Sequence, residues 1–192
     1  MSPPDPYFCA AYLLVAFVFA GVLQAVWLYS KAGRRFNRPL DGGRRFRGQR
    51  IFGDNKTYRG FVVMVPGSGV AFLVLGLLTR QAAGSALWPI ELWQFGLLGC
   101  WAGFGFMLAE LPNSFFKRQL QVAPGQLPDQ SWAKAICFVL DQVDSVFGAL
   151  LAVSIFVPVP IVTWIILLVS GAVVHWIFNL LLYLAGAKKR AA

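Results

Sequence analysis

Residues 135–157 read AICFVLDQVDSVFGALLAVSIFV, an apolar run broken by two acids, Asp141 and Asp144. About 20 residues of α-helix cross a hydrocarbon core about 30 Å thick, so a run of this length is a candidate membrane span. An ionised Asp at the centre of such a helix costs about 2.5–3.5 kcal/mol, and acids placed there usually mark ion sites or substrate pathways. The i, i+3 spacing puts both carboxylates on one helical face, which Ser145 and Gly148 continue. If the span enters the membrane near Ala135, a rise of 1.5 Å per residue leaves Asp141 only about 9 Å deep, within reach of a cation from solution.

The rest of the chain agrees with a membrane setting. Of its 192 residues 58% are apolar and 13% charged, a balance that a water-soluble domain of this size could not hide. Hydropathy marks five spans, Tyr7 to Tyr29, Phe61 to Thr79, Trp93 to Leu111, Ala135 to Val157 and Ile161 to Gly186. The expectation is therefore an all-α, polytopic membrane protein forming one domain over 1–192, with polar loops over 30–60 and 112–134. The third span is rich in small residues (Gly96, Gly99, Gly103, Gly105), which suits close helix packing in lipid. The first run is too long for a signal peptide and lacks a basic leading region and a small-residue cleavage motif.

Orientation follows from the 17 basic residues, because Lys and Arg near span ends are retained in the cytoplasm. Lys31, Arg34, Arg35, Arg38, Arg44, Arg45, Arg47, Arg50, Lys56 and Arg59 lie between the first two spans. Lys117, Arg118 and Lys134 precede the fourth, Lys188, Lys189 and Arg190 follow the fifth, and only Arg80 lies elsewhere. Five spans put all but Arg80 on one side, with the N-terminus outside and the C-terminus in the cytoplasm. A basic face attracts lipid headgroups and soluble phosphates such as nucleotides; nucleic acid is the weaker reading. Topology alone also explains such a face, so the chemistry has to come from the acids.

Five of the eight acids fall in or beside the spans on that side: Asp54, Glu110, Asp129, Asp141 and Asp144. Carboxylate oxygens without nearby His or Cys select a hard ion, and Mg2+ bridging carboxylates to substrate phosphates is the usual arrangement. Asp141 and Asp144 are the expected metal ligands, with Glu110 a further candidate or an arginine partner. Pro112 is expected to stop or kink the third span. If the chain beyond it is helical, Ser114, Lys117 and Arg118 lie within about one turn and offer a hydroxyl, an ammonium and a guanidinium to one phosphate. The first loop adds Gly53-Asp54-Asn55-Lys56-Thr57-Tyr58-Arg59-Gly60, whose glycines permit close backbone approach, although it is not a Walker A loop. Cys9, Cys100 and Cys137 form no metal pattern, and His175, with Asn179 one turn on, reads as an interhelical hydrogen bond.

Three motifs, F-G-D-N-K-T-Y-R-G at 52–60, E-L-P-N-S-F-F-K-R at 110–118 with a following Pro124-Gly125, and L-D-Q-V-D-S-V-F-G at 140–148, strongly resemble the CDP-archaeol synthase family. That family belongs with the CTP:phosphatidate cytidylyltransferases, and the resemblance covers nearly the whole chain. The wider signature, S-x-x-K-R followed by D-x-x-D, falls on Ser114, Lys117, Arg118, Asp141 and Asp144. That signature elsewhere continues with K-D and with G-H-G-G before Asp-Arg, whereas this chain has Val122-Ala-Pro124-Gly125 and Asp141-Gln142, which places it in the archaeol-type branch. The branch implies an ether-linked isoprenoid acceptor, with phosphatidate the alternative. The resemblance implies transfer of CMP from CTP to a lipid phosphate, releasing pyrophosphate. Asp141 and Asp144 would then hold Mg2+, and Lys117 and Arg118 would grip phosphate oxygens. Lys56, Thr57 and Arg59 would close over the triphosphate, while Asn55 or Asn113 would read cytosine or orient a phosphate.

Two other readings carry less. The D-G-x-x-A-R…G…D…D pattern of CDP-alcohol phosphotransferases is absent, Asp41-Gly-Gly-Arg being a bare opening in a loop. The non-enzymatic alternative is a small transporter or an anionic-lipid-binding scaffold; transport would place polar groups deep in several spans, but here they gather at one end.

Overall fold

The computed structural model describes residues 3–83, 86–123, 126 and 131–184. Five long helices dominate: α1 (Pro6–Tyr29), α3 (Tyr58–Ala83), α4 (Leu92–Gln119), α5 (Ser131–Phe156) and α6 (Ile161–Leu184). A short α2 (Lys31–Arg34) and a two-stranded antiparallel hairpin, β1 (Arg45–Phe46) and β2 (Gln49–Arg50), occupy the first loop. All five long helices are long and apolar enough to cross a membrane. Large apolar side chains such as Phe19, Val26, Leu77, Leu97, Ile155 and Val169 face outward, as the hydropathy requires of helices bathed in lipid.

Local chemistry sets the helix ends. The Asp5 carboxylate accepts hydrogen bonds from the Tyr7 and Phe8 amides at 3.1 and 2.7 Å, and Pro6 takes the first helical position, where its missing N–H costs nothing. Ser30 ends α1 and caps α2 through Gly33 N at 2.9 Å. Pro158 and Pro160 separate α5 from α6. At this end of the bundle Asp5 N donates to Ala86 O, Trp88 Nε1 to Pro158 O and Thr163 Oγ1 to Pro6 O, at 3.0, 2.8 and 2.8 Å. The helices therefore alternate in direction, and the loop of 30–57, the C-terminal end of α4 and the start of α5 share the opposite, charged end.

An aromatic core of Tyr12, Phe17, Phe72, Trp88 and Phe95 fills the bundle toward the uncharged end, and Tyr12 Oη donates to Phe72 O at 2.6 Å. Toward the charged end the packing relies on small residues. A methyl group on Gly103 would stand 2.5 Å from Met64 O, and one on Gly148 would stand 2.2 Å from Ala109 Cβ and 2.5 Å from Gly105 O. The backbones of α4 and α5 thus touch at Gly105 and Gly148.

Three sequence expectations need correcting. Helix α4 does not end at Leu111 but runs through Pro112 to Gln119, so the loop expected from residue 112 starts as helix. In an apolar bundle the neighbouring helices supply packing and hydrogen bonds that keep a proline-containing helix going, and α3 likewise carries Pro66. Helix α5 begins at Ser131, before the expected Ala135. The 30–60 loop is a folded unit with its own local hairpin, closed by a bridge between Pro39 and Thr57 at its ends. Asp129, Pro124, Gly125, residues beyond Leu184, and the side chains of His175 and Asn179 lie outside the described residues.

Replacing Gly148 by Leu is expected to cost about 1–3 kcal/mol through overpacking against α4, more than the about 1 kcal/mol that removing a helical glycine returns. Thermal unfolding in detergent should show a lower midpoint for this variant.

Candidate active site

Because α4 continues past Pro112, Glu110, Asn113 and Lys117 stand at i, i+3 and i+7 on one face. That face meets the Asp141–Asp144–Ser145 stripe of α5 about one to three turns from the Gly105–Gly148 contact. Asn113 Nδ2 donates to Asp141 Oδ1 at 2.7 Å and to Asp144 Oδ2 at 3.1 Å, so one amide bridges the two aspartates. The Lys117 ammonium pairs with the Asp141 carboxylate. Ser145 Oγ lies 2.8 Å from Glu110 Oε1 and 3.1 Å from Asp144 Oδ1, and Ser145 N donates to Asp144 Oδ1 at 2.7 Å. The expectation that both aspartates share a face is met, since a single side chain reaches both.

The first loop joins this network through Lys56, whose ammonium pairs with Glu110 Oε2. Burial alone would lower the Lys56 pKa, but Glu110, backed by Asp144 and Asp141, outweighs it and holds the amine above the ordinary lysine value. Lys56 is therefore charged at neutral pH and turned inward. Its place is set by Asp41, whose buried carboxylate accepts from the amides of Gly43, Phe52 and Gly53, each at 3.0 Å, and from Arg50 Nε and Nη2 at 3.2 and 2.7 Å. Burial opposes ionisation of Asp41, yet the guanidinium and the three amides hold its pKa well below the usual carboxylate range. Gly42, Gly43, Gly48 and Gly53 supply the positive-φ corners that fold the segment around this carboxylate. The loop ends against Arg38, whose carbonyl accepts from Tyr58 N at 3.1 Å, while Leu40 N donates to Lys56 O at 2.8 Å.

The other expected residues divide. Arg118 is 8% exposed, and its Nε and Nη1 have no hydrogen-bond partner among the described residues. Leaving a buried guanidinium under-bonded is costly, so the geometry suits an anionic ligand. Ser114 lies half-buried on the same helix, Thr57 is buried, and Asn55 is exposed. Asp54 stands apart from the other acids: its side chain is 70% exposed and pairs with Arg50 at 2.8 Å. Sequence reasoning missed the Asp41–Arg50 clamp and the Lys56–Glu110 pair. The cluster of glycines with Asp41 was the available signal for the first, and nothing local signals the second.

Beside the network a cavity of about 250 Å3 lies between α1, α4, α5 and α6. Its walls are mainly apolar, from Leu14 and Phe17 to Leu28 and Phe178, but Gln24, Glu110 and Ser145 also line it. The part of α1 that borders it runs from Leu14 to Leu28, a rise of about 21 Å at 1.5 Å per residue. A long apolar chamber thus ends beside a cluster of acids, amines and guanidinium groups.

Such an arrangement is that of an integral membrane protein with a buried charged centre at one end of its bundle. The sequence model of the CarS-like family, described as CDP-archaeol synthase, matches residues 12–191. The CDP-archaeol synthase of Methanoculleus marisnigri is 34% identical over 160 residues, covering 79% of this chain and 87% of that protein. That of Methanospirillum hungatei is 35% identical over 162 residues, covering 79% and 87%. A solved structure described as "an intramembrane enzyme for archaeal membrane lipids biosynthesis" superposes with a TM-score of 0.59 at 21% identity, over 91% of each chain, so the fold is shared. The chain belongs to the CDP-archaeol synthase family. Membership makes it a membrane cytidylyltransferase that draws on CTP for lipid biosynthesis.

Asp41→Asn is expected to loosen the clamp around Arg50, since hydrogen bonds to a charged group contribute about 1.5–3 kcal/mol. Tryptic cleavage after Arg44, Arg45 or Arg47 at neutral pH should then speed up about tenfold or more. A cleavage rate equal to that of the parent would show that the loop is held by something else.

Proposed function

We propose that this chain transfers CMP from CTP to an ether-linked lipid phosphate at the cytoplasmic face of the membrane, with the Asp141–Asp144 stripe and the Asn113–Arg118 segment as its catalytic centre. The observation that carries this reading is the facing of those two stripes, bridged by Asn113, next to an apolar chamber. The preponderance of basic residues at the charged end supports its cytoplasmic orientation.

A lipid phosphate oxygen attacks the α-phosphorus of CTP, one P–O bond forms, and the bond to the β-phosphate breaks to release pyrophosphate. The attacking oxygen is already anionic at neutral pH, so no side chain needs to remove a proton from it. What the protein must supply is position and positive charge, because two anions have to meet. Arg118, with open donors, binds the triphosphate, and Lys117, one position before it, faces the aspartates from the same turn. Lys56 brings a second ammonium from the loop. Ser114, Thr57 and Asn55 are further candidates to contact the nucleotide.

The donor set fits a hard divalent cation. Asn113 Nδ2 lies within hydrogen-bond distance of one oxygen from each aspartate, so both carboxylates converge on a single point. Among the described residues no three acids, histidines or cysteines converge as a metal site. Mg2+ is commonly held by one or two carboxylates, with substrate phosphates and water completing its shell. Asp141 and Asp144 would hold it, with Glu110 nearby on Lys56 and Ser145. When bound, it neutralises charge on the phosphate oxygens. The chamber suits one hydrocarbon chain of the acceptor, which leaves the acceptor's phosphate beside Glu110 and Ser145.

Purified protein given Mg2+, radiolabelled CTP and a lipid phosphate is expected to form a chloroform-soluble CDP-lipid. Asp144→Asn should lower turnover by about 100-fold or more while the protein stays folded. Turnover equal to the parent's in that variant would remove Asp144 from the mechanism. Phosphatidate run beside an unsaturated isoprenoid ether analogue should be the poorer acceptor.

A further inference from the structure

The reaction brings together two phosphate-bearing substrates, and the structure holds two arginines whose guanidinium groups have buried nitrogens without partners among the described residues. Arg118 is one. Arg59, in the first turn of α3, is the other: its Nε is buried with no hydrogen-bond partner among the described residues, and its Nη1 makes only a long contact, 3.4 Å, to the carbonyl of Leu28. The positions of the two differ in what they border.

Leu28 and Gln24 both line the apolar chamber, at the end where α1 finishes. Arg59 touches the first, and its neighbour Gly60 is packed against the second: a methyl group on Gly60 would stand 3.9 Å from Gln24 Nε2 and 2.5 Å from Met107 Cε. The same end of the chamber carries Glu110 and Ser145, which tie it to Asp144 and Lys56. Arg59 is thus beside the mouth of the chamber. Arg59, Lys117 and Arg118 all stand outside the lining itself, but Arg59 touches Leu28, which lines it, whereas Lys117 and Arg118 lie about two turns beyond Glu110 on α4, with Lys117 held by Asp141.

We infer that Arg59 is the guanidinium that binds the phosphate of the lipid acceptor, while Arg118 serves the nucleotide. This deepens the proposed transfer reaction and rests on it. The phosphate of a lipid whose chain enters between α1 and α6 arrives where the chamber stops, and Arg59 offers two N–H groups there in the planar fork that matches phosphate oxygens. The carbonyl of Leu28 holds the guanidinium only loosely, so the switch to a phosphate sacrifices little. Arg59 is carried by α3 and the aspartates by α5, so the acceptor and the nucleotide would be held from different helices. An arginine from the loop motif would then select for lipids bearing a terminal phosphate, and not read the nucleotide at all.

The test compares the parent with Arg59→Gln and Arg59→Lys, each first checked for an unchanged unfolding midpoint without ligand. The ligand-induced rise in that midpoint is measured separately with dioctanoyl phosphatidate and with CTP plus Mg2+. The parent should be stabilised by both. Arg59→Gln should lose stabilisation by the lipid phosphate but keep that by CTP, and Arg59→Lys, which keeps the charge but not the fork, should fall between. In turnover, Arg59→Gln should raise KM for the lipid phosphate at least tenfold and leave KM for CTP within twofold. Loss of stabilisation by CTP with that by the lipid kept would assign Arg59 to the nucleotide and overturn the inference, as would two responses equal to the parent's. Should Arg59→Gln unfold, the Arg59→Lys comparison decides by the same two readouts. Failure of the parent to make CDP-lipid would contradict the reaction itself, whereas the binding comparison still reports on Arg59.

Discussion

Charge inside an apolar bundle has to be compensated within reach of a hydrogen bond, and the charged end of this protein is organised by that requirement. Asp141, Asp144 and Glu110 sit on helices otherwise suited to lipid, and each meets a donor from another element: Lys117 and Asn113 from α4, Ser145 from α5, Lys56 from the first loop. Those contacts are possible only because α4 and α5 approach to backbone contact at Gly105 and Gly148. A side chain at either glycine would separate the acids from their donors, and an isolated buried carboxylate costs several kcal/mol. Helix packing and site chemistry are therefore one problem with one solution.

Among the charged groups of the described residues, compensation is incomplete at two arginines. Arg118 and Arg59 carry buried nitrogens without partners among the described residues, whereas the acids around them are served. A chain that satisfies its carboxylates and leaves guanidinium groups open is prepared for anions from outside. The loop that presents Lys56 is itself stabilised away from the membrane, by the Asp41 carboxylate and its ring of amides and Arg50. These contacts lie within the loop itself and hold the backbone that carries Lys56.

Much of this was legible in the sequence, for identifiable reasons. The five helices follow from apolar runs long enough to cross a bilayer, and the shared face of Asp141 and Asp144 follows from their spacing alone. The small residues of the third span did signal close packing, at Gly99 and Gly103 against α3 and at Gly105 against α5. What was not legible depends on tertiary context. Pro112 carries a local signal to stop, and only the surrounding helices show why α4 continues and so aligns Asn113 and Lys117 with Glu110. Lys56 and Glu110 are 54 positions apart, and no pattern links them. Asp54 belongs to the 52–60 motif yet faces solvent, because the loop turns it toward Arg50.

The most direct measurement is a crystal structure of the protein grown in lipid with a non-hydrolysable CTP analogue and Mg2+. The account expects the triphosphate between α4 and α5, its oxygens within hydrogen-bond reach of Arg118, with Asp141 and Asp144 on the adjoining side. A nucleotide seated away from that cleft, with the Asn113 bridge and the Lys117–Asp141 pair unchanged, would contradict it.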